Sequence, residues 1–211
     1  MRILSHRGYW KSEPEKNSLL ALSRSIEHGF GFEIDIRDHN GELVISHDIP
    51  YDSSLNFNNF LKIAADEIVE KKLMLALNIK SDGLAKKLNK LLEGYPLLEV
   101  FVFDMSIPDT LSYFKEGINV YTRISEFETN VWPDKSAGIL LDAFYSEWYS
   151  SQTISDLIKN NKKLCIISPE LHGRNHINLW SKLKSLQNNE SILLCTDFPE
   201  DAKNYFEDII L

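Results

Sequence analysis

The chain has 211 residues, 43% hydrophobic and 11% aromatic, a globular composition that excludes a disordered or collagen-like chain. Its length suits one domain large enough to bury a core. With 23 Lys and Arg against 31 Asp and Glu the net charge is −8, which argues against nucleic-acid or anionic-membrane binding but leaves room for a small anion held by a metal and one or two local cations.

Met1-Arg2 leads into a short apolar strand, Ile3-Leu4, that finishes in Ser5-His6-Arg7-Gly8. There is no secretory leader pattern, and no apolar run approaches the roughly 20 residues of a bilayer span, so a cytoplasmic protein without stable membrane insertion is expected. Leu19, Leu22 and Ile26 recur at helical spacing, and Gly29 closes that helix. Phe32–Arg37 reads as a strand carrying Glu33-Ile34-Asp35. Asn40-Gly41 is a hairpin turn into Leu43–Ser46, which ends in His47-Asp48. Phe57, Phe60, Leu61, Ala64 and Ile68 form a second helical stripe. Leu73–Ile79 is a strongly apolar strand closing in Asn78-Ile79-Lys80, and Leu84, Leu88, Leu91 and Leu92 mark a third helix.

Val100–Phe103 is the next strand, 107–115 a helix, and Asn119–Arg123 a strand followed by a loop around Trp132-Pro133. Strands at Ile139–Leu141, Leu164–Ile167 and Ile192–Cys195 then alternate with helices marked by Ile154, Leu157 and Ile158 and by Leu179, Leu183 and Leu186. A terminal helix carries Ala202, Tyr205, Phe206 and Ile209. With the hairpin strand set aside, eight β-runs remain in β/α order. They lack clean alternation and read as apolar on both faces, as a buried parallel sheet requires. The pattern predicts an α/β fold, a compact (β/α)8 TIM barrel spanning 1–211 as a single domain. Some helices would be short or missing, and a small β-hairpin is inserted after the second strand. An open doubly wound sheet is the alternative, but no Gly-rich phosphate turn follows any strand. Cys165 and Cys195 lie in separate β-runs and outside any C-x-x-C pair, which is the pattern of reduced core thiols.

The strand ends carry the chemistry: His6, Asp35, Asn78 with Lys80, Asp104, Arg123, Asp142, Glu170 and Asp197. Asp104 and Asp197 could equally begin helices as N-caps. Glu33 and Asp35, two apart on a strand, share a face. On the inward face of a barrel they would repel, and a divalent cation is the usual compensation. Two carboxylates with neutral oxygens suit Mg²⁺ or Ca²⁺ better than Zn²⁺. The alternative is a solvated outward pair, with Phe32, Ile34 and Ile36 as the core face. His6 and His47 flank that pair, and an imidazole with an unperturbed pKa near ~6.5 serves as base in one step and acid in the next. Arg7 and Lys80 offer fixed positive charge to phosphate oxygens. His28, His39, His172 and His176 read as helix-end, turn or loop residues.

The ordered set His6-Arg7-Gly8, Asn17-Ser18, Glu33-Ile34-Asp35, Asn40-Gly41 and His47-Asp48 resembles the N-terminal signature of the glycerophosphodiester phosphodiesterase family, a group of phospholipase-C-like barrels. Asn78-Ile79-Lys80 and Cys195-Thr196-Asp197-Phe198-Pro199 continue the likeness more faintly. The resemblance implies a TIM barrel with a divalent cation, Mg²⁺ or Ca²⁺, at its C-terminal rim. It implies His6 and His47 as the acid/base pair, Glu33 and Asp35 as metal ligands, and Arg7 and Lys80 as phosphate ligands. The substrate would be a small-molecule phosphodiester, not a nucleic acid, and the activity belongs to lipid metabolism. The family commonly has a glutamate ligand where this chain has Asn78, which offers a carbonyl oxygen but one charge fewer. The family's Pro-Glu-Asn-Thr run appears here as Pro14-Glu15-Lys16-Asn17-Ser18, with one residue more. Two other readings stand beside the hydrolase: a phosphate-ligand-binding barrel with little or no turnover, and a lyase or aldolase using Lys80 as nucleophile. The oligomeric state is left open by the sequence.

Overall fold

The structure, a computed structural model, describes residues 1–67, 73–129, 131–159 and 162–207. Along the chain run β1 (Arg2–His6), α1 (Leu19–Glu27), β2 (Gly31–His39), β3 (Glu42–Ile45), β4 (Leu55–Asn56) and α2 (Phe57–Glu67). They are followed by β5 (Leu73–Ile79), α3 (Ala85–Leu92), β6 (Leu98–Phe103), α4 (Ile107–Lys115), β7 (Tyr121–Ile124) and β8 (Gly138–Leu141). The chain ends in α5 (Ser151–Lys159), β9 (Lys163–Ile167), α6 (Ile177–Leu183), β10 (Ile192–Thr196) and α7 (Pro199–Phe206). Ile68 and Ile209, assigned from the sequence to α2 and α7, lie outside the described residues.

The parallel strands form a ring. β1 pairs with β2 and β10, β2 with β5, β5 with β6, β7 with β8, β8 with β9, and β9 with β10. Between β6 and β7 a parallel bridge joins Val102 to Val120, with the Val102 amide donating to Asn119 O at 2.9 Å. This is the (β/α)8 barrel that the β/α order predicts, with one helix fewer: no helix lies between β7 and β8 among the described residues.

Successive residues of each strand enter two different cores. Leu4, Met74, Ala76, Phe101, Tyr121, Leu140, Cys165, Leu193 and Cys195 fill the barrel interior, where the Phe101 and Tyr121 rings stack at 3.8 Å. Phe32, Ile34, Ile36, Leu75, Leu77 and Ile79 face outward onto Leu22, Phe57, Phe60 and Leu88 of the helices. On the other side Ile139, Leu164, Ile166 and Leu194 do the same against Ile154, Leu179, Trp180 and Leu183. Both faces are apolar, which is why the strands show no period of two. Each such side chain contributes about 1.5–3 kcal/mol by leaving water. The thiols of Cys165 and Cys195 are free and buried in the interior, and burial pushes both far up, leaving them inert.

The hairpin after β2 is where the sequence places it. Asn40 (φ 49°) and Gly41 (φ 78°) supply the two positive φ angles of its turn, and β3 returns antiparallel to β2, pairing Ile36 with Ile45. A short further strand, β4, pairs with β3 and was not foreseen. The excursion delivers Ser46 and His47 to the C-terminal rim, with the Ser46 amide donating to Asp35 O at 3.0 Å.

Candidate active site

Alternation on β2 settles the orientation of the acidic pair. Phe32, Ile34 and Ile36 face the helices, so Glu33 and Asp35 point into the barrel, at 3% and 0% exposure. β5 sets Ala76 beside Glu33 and Asn78 beside Asp35. A cleft of about 310 Å³ opens above them at the C-terminal rim. Of the residues singled out in the sequence, His6, Arg7, Glu33, His47, Asn78 and Lys80 line it, while Asp35 lies beneath.

Asp35 is held from three sides. Asn17 Nδ2 donates to its Oδ2 at 2.8 Å, Arg7 Nε stands 3.0 Å from the same oxygen, and Lys80 Nζ stands 3.3 Å from Oδ1. Glu33 has weaker company: the Arg7 amide donates to Oε2 at 3.1 Å and His6 Nε2 stands 3.9 Å away. Burial, and then the Asp35 charge, push the Glu33 carboxyl up to about 7, against a smaller downward pull from His6, Arg7 and Lys80. Arg7 and Asn17 both sit at positive φ, 56° and 59°, and the Asn17 amide donates to Arg7 O at 2.8 Å. Such strain in non-glycine residues persists where surrounding contacts over-determine it. Gly8 completes the turn: at φ 84° a Cβ there would lie 2.9 Å from backbone and side-chain atoms of Ala21.

Both histidines have a fixed tautomer. A carboxylate only accepts, so a ring nitrogen against one carries the hydrogen. His6 Nδ1 donates to Asp197 Oδ1 at 2.7 Å and His47 Nδ1 to Asp48 Oδ1 at 2.9 Å, leaving Nε2 of each ring as a bare base. The two are not equally held. Asp197 is itself fixed, because Glu170 Oε1 accepts its amide at 3.2 Å as well as the Thr196 hydroxyl. Asp48 is 91% exposed, and the His47 ring is 44% exposed.

Asp104 and Asp197 are not N-caps: α4 is capped by the Ser106 hydroxyl, and the N-cap position of α7 belongs to Phe198. Asp104 pairs instead with Arg123, as does Asp142, and Asp142 also accepts from His172 Nε2 at 2.7 Å. Arg123, Asp142, Phe144 and His172 line the same cleft. His172, read from the sequence as a loop residue, lines the cleft, as do Phe144 and Leu171, which sequence reasoning did not single out. Their only sequence signal is position, just beyond strands β9 and β8.

A divalent cation finds chemically suitable groups here. Among the described residues the buried Asn78 Oδ1 has no hydrogen-bond donor, and Glu33 is a buried carboxylate without a full countercharge. Asp35 would complete the set on exchanging one of its cations for the metal. Among the described residues no cluster of three or more His, Cys, Asp or Glu side chains converges as a metal cage; the set available is two carboxylates and one amide.

Fold and site together define a (β/α)8 barrel with a polar cleft, flanked by histidines, at the C-terminal ends of its strands. Solved phosphodiesterase structures share the architecture over nearly the whole chain. A glycerophosphodiester phosphodiesterase from Parabacteroides distasonis aligns with TM-score 0.68 and 17% identity, covering 97% of this chain and 96% of that one. One from Agrobacterium tumefaciens gives 0.69 and 12%, covering 98% and 97%. A Ca²⁺-dependent phosphatidylinositol-specific phospholipase C from Streptomyces antibioticus gives 0.63 and 7%, covering 97% and 95%. No protein-family model and no curated protein matches the chain. At these identities the likeness establishes the fold.

Proposed function

We propose that the chain is a metal-dependent phosphoric diester hydrolase of the glycerophosphodiester phosphodiesterase type, acting on a small diester. The observation that carries this reading is the meeting of His6, Arg7, Glu33, His47, Asn78 and Lys80 in one cleft, on a barrel shared with solved phosphodiesterases. The diester phosphate sits between the Nε2 atoms of His6 and His47. One, unprotonated at Nε2, takes the proton of the attacking hydroxyl, from water or from the substrate itself; the other enters as the imidazolium and gives its Nε2 proton to the departing alcohol oxygen. Asp197 keeps the His6 ring turned and stabilises its cationic form. Arg7 and Lys80 meet the phosphoryl oxygens. Glu33, Asp35 and the orphaned Asn78 Oδ1 would hold a Mg²⁺ or Ca²⁺ ion, which would supply positive charge to the phosphoryl oxygens. The Ca²⁺ dependence stated for the Streptomyces antibioticus phospholipase supports a divalent cation without choosing between the two.

One observation favours a second reading, a phosphate-ligand-binding barrel with little turnover: Arg7 and Lys80 already neutralise Asp35, and Asn78 brings no charge. Hydrolysis of glycerophosphodiesters with Mg²⁺, with Ca²⁺ and with EDTA separates the two. The hydrolase reading expects turnover that EDTA abolishes and a divalent ion restores; absence of turnover under all three conditions sinks it. No helix among the described residues is long and apolar enough to cross a membrane. A cytoplasmic location and a place in lipid metabolism belong to the same proposal.

A further inference from the structure

The reaction as proposed uses one half of the rim. In ring order β8 stands opposite β2, so a far wall of Asp142 and His172 faces the acidic pair across the cleft. β9 and β10 complete the ring between that wall and His6. The connection after β9 carries Glu170, a carboxylate whose side chain is 7% exposed and which the reaction does not use.

A buried carboxylate persists where donors surround it, and Glu170 has them on both oxygens. Oε1 accepts the Asp197 amide at 3.2 Å and the Thr196 hydroxyl, and Oε2 accepts the Ser168 hydroxyl at 2.5 Å. Ser168 in turn accepts from Trp180 Nε1 at 3.0 Å, and Ser168, Thr196 and Trp180 are all buried. The carboxylate thus ties the exits of β9 and β10 to α6. The tie ends on the partner of His6. Asp197 stands one residue past β10, and its amide is taken by Glu170 instead of by a neighbouring strand. Thr196 pairs with Ser5 in the β1–β10 ladder, so Asp197 comes beside His6, with Oδ1 2.7 Å from Nδ1. An imidazole released from that carboxylate shares its hydrogen between both nitrogens, and the ring with hydrogen on Nε2 alone has no base facing the phosphate.

We propose that Glu170 is a positioning residue of the hydrolytic site: by clasping Thr196 and Asp197 at the end of β10 it holds the Asp197 carboxylate against His6 Nδ1 and keeps Nε2 as the atom that exchanges the proton. The inference rests on the phosphodiesterase reading and deepens it. Glu170 acts through Asp197 and not on the substrate.

The test is a cycle of substitutions read in the hydrolysis of glycerophosphoglycerol. Glu170→Ala should lower kcat on the order of 10–100-fold, the scale set by outer partners of a positioned imidazole, and leave KM within about twofold. Glu170→Gln keeps an oxygen for Thr196 and Asp197 and should recover most of the rate; no recovery overturns the clasp. In an Asp197→Ala background, Glu170→Ala should cost less than about twofold more, because the group it positions is gone. A loss that persists undiminished there, or that falls on KM, overturns the proposal. A second readout needs no turnover: the ¹⁵N NMR signals of the His6 ring at pH 8. The wild-type ring should carry its hydrogen on Nδ1, and the Glu170→Ala ring should be a mixture of both tautomers; an unchanged tautomer overturns the proposal. If the wild type cleaves no diester, the hydrolase reading fails separately and the ring spectrum decides. If Glu170→Ala does not fold, Glu170→Asp keeps the buried charge and draws its oxygens back by one carbon. It should show the same mixing of tautomers, and a pure Nδ1–H ring there overturns the proposal.

Discussion

His6 and His47 reach the cleft by different routes and should answer differently to substitution. His6 ends a barrel strand and leans on Asp197, which Glu170 fixes in turn; His47 rides a hairpin extension and leans on an exposed neighbour. His6→Ala should cost on the order of 10²–10⁴ in rate, and His47→Ala a loss in the same range, both with little change in thermal stability. Near-wild-type hydrolysis by either variant would remove the paired mechanism. At Asn78, replacement by Glu adds the carboxylate that the resembled family carries, and divalent affinity rises with ligand charge. Titration calorimetry should show tighter Mg²⁺ and Ca²⁺ binding in Asn78→Glu. Unchanged or weaker binding would mean that Asn78 is no ligand.

Glu33 makes a prediction with a definite sign. Its carboxyl is raised from the usual 4.5 to about 7, so in metal-free protein the native state keeps a proton that the unfolded chain has already released. Stability is therefore full below the unfolded value and falls as pH rises through about 7. A shift of this size corresponds to ~3 kcal/mol. Urea unfolding in EDTA should show the fall between pH 5 and 8, and Glu33→Gln should flatten it. Added Mg²⁺ or Ca²⁺, which needs the ionised carboxylate, should raise the melting temperature more at pH 8 than at pH 5. An equal rise at both pH values would speak against Glu33 as a ligand.

At the scale of elements, the far wall depends on how the connection after β8 is pinned. Glu126, in the connection after β7, accepts the amides of Phe144, Tyr145 and Ser146 at 3.0, 3.0 and 3.2 Å. Burial alone would raise its carboxyl, but these backbone donors and its own amide outweigh that and hold it down, at about 2. Trp148 Nε1 adds a bond to Asp142 O at 2.8 Å, and Arg174 another to Ala143 O. Glu126→Ala should leave those three amides without their acceptor. Hydrogen exchange should then accelerate at 144–146 and leave β1 and β2 untouched. Unchanged protection would show that the segment holds its shape without Glu126. This arrangement was invisible in the sequence, since an acid between Ser125 and Phe127 carries no periodicity and no motif. By contrast the β2–β3 hairpin was legible, because Asn40-Gly41 has the backbone freedom its turn demands.

For the whole molecule, the ring has one thin seam. β2 and β5 register over five residue pairs, while β6 and β7 meet at the Val102–Val120 bridge. Native-state exchange should find β7 opening at lower free energy than β5. Equal protection of the two strands would mean that packing, led by the Phe101–Tyr121 stack, closes the seam as firmly as a ladder does.

The sequence by itself determined the barrel and which residues stand along one half of the candidate cleft. β/α order and two-sided apolar strands leave few ways to bury both faces, and Glu33 and Asp35 share a face through the fixed period of a strand. His6, Arg7 and Gly8 are neighbours in the chain, so a single strand end carries them together. Only the tertiary structure decided that Asp35 lies beneath the cleft between Arg7 and Lys80, that Asp197 serves His6, and that Arg123, Asp142 and His172 form one network across from them. Asp197 stands 191 residues from His6 along the chain, and no local pattern encodes such a contact. The closing of the ring does: β10 pairs with β1 and sets the last strand end beside the first.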